Sequence, residues 1–195
     1  MIEVEQKFLL NPEQEEKLLK GATFDYEKTN IDTYYDTEDY TLGLESLWLR
    51  LRNDRWELKI GQNKNSKVSS RTHVELEDDL SIAVKLGLPG MDLTREIEIA
   101  GYKPFAKIEK TRRSYLRDGL RIDLDNCDFG YAVVEIELLI ESMEEQQEAN
   151  DRISAFAKSI DLDTRRVRGK LIEYMARYLP EHHQALLDAG VLDKI

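Results

Sequence analysis

The sequence predicts an α+β fold: a closed antiparallel β-barrel of about eight strands around a charged lumen, with helices packed outside. Three observations predict it. Strand-like segments dominate most of the chain. In nearly all of them one parity of positions carries Glu, Asp, Arg or Lys while the other is apolar. Helical spacing returns only late in the chain. With 195 residues and no linker rich in Pro, Gly or Ser, residues 1–195 read as one domain.

Ile2 to Leu10 alternates polar and apolar residues as a strand does, and Asn11-Pro12 reads as an N-cap followed by proline at N1. The short helix that follows is expected to end near Gly21, before an aromatic and β-branched strand from Phe24 to Tyr35. Further strands are expected at Ser46–Arg52, Arg55–Gly61, Arg71–Glu77, Pro104–Arg117, Leu120–Asp125 and Ala132–Ile140, with Asn53-Asp54 and Asp118-Gly119 as hairpin turns. Asp78–Leu88 reads as a short helix cut off by Pro89-Gly90. The acidic run Glu141–Glu148 opens a solvated helix. Ile153, Phe156, Ala157 and Ile160 form one helical stripe, and Val167, Leu171, Tyr174, Met175 and Tyr178 another, stopped by Pro180.

Composition narrows the function. The formal net charge of −11 repels nucleic acid and anionic membrane in bulk, so a phosphate ligand has to be held by a local cluster of bases. With one cysteine, no membrane-length apolar run and an acidic first segment, the sequence reads as a cytoplasmic, soluble protein that binds neither nucleic acid nor membrane and is expected to be a monomer.

Parity carries the functional signal. Glu3, Glu5 and Lys7 share one face; so do Arg50 and Arg52, Glu57 and Lys59, Glu75 and Glu77, Lys110 and Arg112, Asp123 and Asp125, and Glu135 and Glu137. A sheet with one wet face also alternates, but it usually mixes Ser, Thr, Asn and Gln with its charges. Near-exclusive use of ionised residues on successive strands fits faces that look into one cavity. A lumen of both signs suits a triphosphate, with Arg forks and Lys charges for its oxygens and carboxylates for a neutralising Mg²⁺.

IEVEQKF contains an E-x-E-x-K pattern at Glu3, Glu5 and Lys7. DTYYDT (Asp32–Thr37), LWLRLRNDRWELK (Leu47–Lys59), IDLDNCDFGYAVVEIE (Ile122–Glu137) and the late KLIEYMARYLP follow in order. Together these segments resemble the CYTH superfamily, the triphosphate tunnel metalloenzymes, and within it the thiamine triphosphatase branch. The resemblance spans roughly residues 1–62 and 108–140 and is poor between 63 and 107. It implies that Glu3, Glu5, Asp123, Glu135 and Glu137 bind Mg²⁺, with Mn²⁺ as the alternative ion. It implies that Lys7, Arg50, Arg52, Lys59, Arg112, Glu135 and Lys170 contact the substrate, thiamine triphosphate. Lys110 and Arg113 are close enough to exchange with Arg112. The resemblance also implies a charged tunnel with a C-terminal helix near the tunnel mouth that carries Lys170, and Lys170 falls on the inward stripe of that helix.

Trp48 shares parity with Arg50 and Arg52 and either stacks on the cationic thiazolium or simply packs at the tunnel end, whereas Trp56 shares parity with Leu58 and Ile60 and belongs outside the barrel. Lys59 beside Lys7 is expected to be depressed by crowded cations and to act as general base, with Lys7 as its catalytic partner. His73 could face the lumen, although a lone strand histidine is more often structural; His182 and His183 are expected to be solvated and Cys127 inert. Inorganic tripolyphosphate hydrolysis, a class IV type adenylate cyclase activity and a non-catalytic polyphosphate-binding module are the competing readings.

Overall fold

The computed structural model describes residues 2–61 and 71–192, with backbone alone for 71–73, so the side chain of His73 lies outside the described residues. The elements run β1 (Ile2–Phe8), α1 (Pro12–Leu19), β2 (Thr23–Asp36), α2 (Thr41–Leu44), β3 (Leu47–Arg52), β4 (Arg55–Gly61), β5 (Arg71–Leu76), α3 (Asp79–Leu86), α4 (Leu93–Ile99), β6 (Lys103–Arg117), β7 (Leu120–Cys127), β8 (Tyr131–Ile140), α5 (Gln146–Ser159), α6 (Lys170–Tyr178) and α7 (Pro180–Asp188). The strands form a closed antiparallel barrel in the order β1-β5-β4-β3-β2-β6-β7-β8. Closure is completed by β1, which pairs with β8 from Ile2↔Ile140 to Phe8↔Val134 and with β5 through Glu3↔His73.

Local chemistry accounts for the boundaries. Asn11 and Gln14 form a reciprocal capping box at the start of α1, with Pro12 at its first position. Asn53 and Asp54 both take positive φ, as do Asp118 and Gly119, the left-handed pair whose twist suits a two-residue hairpin. The helix expected over Asp78–Leu88 is α3, capped by Asp78 and ended by left-handed Gly87. The sequence reading lacked α2 and α4. In α4, Leu93 and Ile97 pack inward one helical turn apart, but Ile97 and Ile99 also alternate, and the strand-like period hides the helical one; Ile99 is 75% exposed.

Apolar faces pack outward in two clusters. Val4, Phe8, Ile122 and Ile136 meet Ala149, Ile153 and Ala157 of α5. Leu47, Leu49, Trp56 and Leu58 meet Ile82 of α3 and Leu93 and Ile97 of α4. Trp56 therefore lies outside the barrel, as its parity predicts, with its indole N–H donating to Thr94 Oγ1 at 2.9 Å. Because Ile153 is fully buried against the β1–β8 seam, Ile153→Ala is expected to cost about 2–5 kcal/mol in urea unfolding, with activity retained once folded.

Candidate active site

The pleat carries the charged parity of these strands into the lumen, where register decides which charges meet. Arg50 of β3 faces Glu57 of β4, Arg52 faces Asp32 of β2, and Lys59 faces Glu75 of β5. Arg112 of β6 faces Asp125 of β7, Asp123 faces Glu135 of β8, and Glu5 and Lys7 face Glu137 and Glu135. Arg52 forks onto Asp32 at 2.6 and 2.9 Å. Arg50 Nη2 reaches Glu57 at 2.6 Å and Glu75 at 3.6 Å. Lys7 bonds to Glu5 and approaches Glu135 at 3.3 Å.

The tunnel changes character along its length. Tyr34, Ala106, Ile108, Cys127, Tyr131 and Val133 have lumen parity but are buried with Leu171, Ile172 and Met175 of α6 in a third apolar cluster, which Trp48 joins. Thus α6 packs over one end of the barrel, and its first residue, Lys170, reaches Asp125 at 2.5 Å and Glu135 at 2.7 Å. A cavity of about 140 Å³ remains between the charged walls and this end, lined on the apolar side by Tyr34, Trp48, Leu171 and Ile172. All twelve residues proposed from the sequence lie on lumen-facing positions or on α6. Eleven of them line this cavity, and the twelfth, Asp123, is buried against Arg112.

Electrostatics divides the carboxylates. Burial pushes Glu3 up to about 7, and burial together with the neighbouring Glu3 raises Glu137 well above the ordinary range. Burial also raises Asp123. Despite burial, Asp32 is held low by Arg52 and Arg50, Asp125 by Lys170 and Arg112, and Glu135 by Lys170 and Lys7. Oxygens of Glu3, Glu5 and Glu137 lie within 4.8 Å of one another, and Asp123 Oδ1 is buried with no hydrogen-bond partner. Hard oxygen donors that repel one another in a buried site fit a divalent cation such as Mg²⁺.

Three expectations are corrected. Lys59 is flanked by carboxylates rather than crowded by cations: Glu75 at 3.3 Å, Glu3 at 3.5 Å and Glu5 at 3.9 Å. Although burial opposes it, these acids raise its pKa far above the ordinary lysine value. His182 is buried rather than solvated. Its ring stacks on Tyr40 at 4.0 Å, and burial lowers its pKa. Glu77 lies beyond the end of β5 and is exposed, so the lumen parity of that strand stops at Glu75. Cys127 is buried, and burial raises its thiol to about 11, which keeps it unreactive.

The sequence reading missed Lys110 and Asp125 as site residues, although parity had placed both on the lumen face. Lys110 is buried 3.7 Å from Asp32 and 3.6 Å from Asp125, and burial, with Lys170 and Arg112 nearby, lowers it to about 7. Pairing with Arg112 across one strand position was the available signal.

The comparisons agree with this geometry. A CYTH domain model matches residues 1–167. A human (Homo sapiens) thiamine-triphosphatase is 32% identical over 97% of this chain and 91% of its own, and a thiamine-triphosphatase of Macaca fascicularis is 31% identical over the same shares. Among solved structures, a Pyrococcus horikoshii protein superposes with a TM-score of 0.67 at 23% identity, covering 90% of this chain and 99% of that one. A Hippeastrum protein described as an adenylyl cyclase with a dominant triphosphatase activity gives 0.59 at 16% identity, over 90% and 95% of the two chains, which speaks for the fold alone. A closed barrel with a lumen of paired acids and bases, matched along most of its length by that family model, belongs to the CYTH domain family.

Proposed function

We propose that this chain is a Mg²⁺-dependent hydrolase that converts thiamine triphosphate to thiamine diphosphate and phosphate, acting as a cytoplasmic monomer. The observation that carries the reading is one cavity with three kinds of wall: bases for phosphoryl oxygens, a carboxylate group for a cation, and an aromatic end at Trp48 and Tyr34 for an organic ring. The thiamine-triphosphatase relatives support this substrate. Among the described residues, no helix is long and apolar enough to cross a membrane.

In this mechanism water attacks the terminal phosphorus in line, the bond from phosphorus to the bridging oxygen breaks, thiamine diphosphate leaves, and the water's proton passes to a non-bridging oxygen of the phosphate released. Arg50, Arg52, Arg112 and Lys170 hold the phosphoryl oxygens and spread the charge that develops on them. Glu3, Glu5 and Glu137, joined by Asp123 and Glu135, would hold Mg²⁺ or Mn²⁺, which supplies further charge neutralisation. Lys7 and Lys59 serve as the catalytic lysines. With its proton held by Glu3, Glu5 and Glu75, Lys59 acts in the resting site as a cation beside the terminal phosphoryl group rather than as a base.

The test is phosphate release with Mg²⁺ on thiamine triphosphate, tripolyphosphate and ATP. Wild type is expected to prefer thiamine triphosphate, and Trp48→Ala to reduce that preference about tenfold through loss of a cation–π contact of roughly 0.5–2 kcal/mol. Preference for tripolyphosphate with no response to Trp48 would move the chain to inorganic tripolyphosphate hydrolysis.

Lys110 brings a pH dependence. Its neighbours are Asp32 on β2, Asp125 on β7, Arg112 on its own strand, Arg52 on β3 and Lys170 on α6. A bound polyanion favours the protonated lysine, so affinity for tripolyphosphate is expected to be highest below about pH 7 and to fall as pH rises through that value. Lys110→Met is expected to flatten this part of the calorimetric pH profile; an unchanged profile would remove Lys110 from the binding site.

A further inference from the structure

We propose that Asp125 is a positioning residue whose carboxylate gathers Arg112, Lys170 and Lys110 into one polyphosphate-binding cluster while touching neither metal nor substrate. Arg112 donates to it through a fork, Nε to Oδ1 at 2.7 Å and Nη2 to Oδ2 at 2.7 Å. Lys170 donates to Oδ2 at 2.5 Å, and Lys110 stands 3.6 Å from the same oxygen. These bases come from two elements that share no ladder, β6 and α6, so their spacing depends on side-chain contacts rather than on backbone register. Tyr131 Oη donates to the Arg168 carbonyl at 2.6 Å and fixes the chain just before α6, which brings Lys170 to Asp125. Three cations this close repel one another in a buried site. A common counter-charge lets them stand ready before a polyanion arrives.

The same carboxylate could instead serve the metal, but its surroundings argue otherwise. Both of its oxygens are engaged by cations. It lies outside the Glu3, Glu5 and Glu137 group, and across the β7–β8 ladder it faces Val133, whereas Asp123 faces Glu135. It could also be a competitor that merely occupies Arg112 and Lys170, in which case removing it would tighten anion binding.

The inference rests on the polyphosphate reading of the lumen, so the first measurement is calorimetric binding of imidotriphosphate with Mg²⁺ to wild type. Absence of binding there overturns both. Given binding, Asp125→Asn is expected to weaken imidotriphosphate at least tenfold and to raise KM for thiamine triphosphate more than it lowers kcat, leaving the Mg²⁺ concentration for half-maximal activity within about twofold. Combined with Lys170→Ala, its effect on KM should be well below the product of the two single effects, because the two residues act as a unit. A large shift in Mg²⁺ dependence would make Asp125 a ligand, and tighter binding would make it a competitor; either overturns the proposal while the polyphosphate reading stands. Should Asp125→Asn fail to fold, Asp125→Glu keeps the charge and moves it by one methylene. The same loss of affinity is expected there, and wild-type affinity would sink the positioning role.

Discussion

Arg50→Ala is expected to lower kcat/KM for the triphosphate about 10²–10³-fold, the usual loss when one preorganised donor to a developing anion is removed. Arg50 is buried where β2, β3, β4 and β5 converge, with Glu57, Glu75 and Asp32 around its guanidinium. Those acids are not stranded by the substitution. Arg52 still covers Asp32 at 2.6 Å and Glu57 at 3.2 Å, and Lys59 covers Glu75 at 3.3 Å. The variant should therefore fold, and its activity then reports on phosphoryl stabilisation rather than on a collapsed lumen. Arg50→Lys keeps the charge but loses the planar fork, so only part of the activity is expected to return. Steady-state kinetics beside a circular dichroism melt makes the comparison, and a loss below tenfold in a folded protein would remove Arg50 from the reaction.

Glu137→Gln is expected to move metal binding and metal-free stability in opposite directions. Among the described residues its ion-pair contact is Arg112 at 4.0 Å, while Glu3 and Glu5 place oxygens within 4.8 Å of its own. Burial and Glu3 raise its pKa, so the folded protein holds that proton more tightly than the unfolded chain does. Stability from this group falls as pH rises from the ordinary carboxylate range toward the folded pKa, and at neutral pH the carboxyl is a cost. The glutamine removes that cost, and the metal-free melting temperature should rise. The upward shift of that temperature with Mg²⁺ or Mn²⁺ should disappear, and the metal concentration for half-maximal activity should rise about 100-fold or more. A residue with a purely structural role would lower stability with and without metal, and that pattern in the melts would count against Glu137 as a ligand.

Much of this arrangement is legible in one dimension because a strand's pleat is a local property. Glu3, Glu5 and Lys7 share a face whatever the rest of the chain does, and so do Arg50 and Arg52. Turn chemistry at Asn53-Asp54 and Asp118-Gly119 and the Asn11 cap are legible for the same reason. His182 could not be read that way. Its burial depends on Tyr40 and Phe105, from distant parts of the chain, closing over a histidine whose own segment looks solvated.

The sequence by itself determined which side chains share a face along each strand and that acids and bases gather on those faces. The tertiary structure decided which charge neighbours which. Lys59 and Lys110 are both lumen lysines by parity, yet three acids raise the first, while burial with Lys170 and Arg112 lowers the second. It also decided that α6 packs over one end of the barrel and brings Lys170 to Asp125 across 45 residues of chain. The physical reason is range. Side-chain direction follows from the backbone within two residues, whereas a buried charge takes its state from whatever closing the barrel brings within a few ångströms.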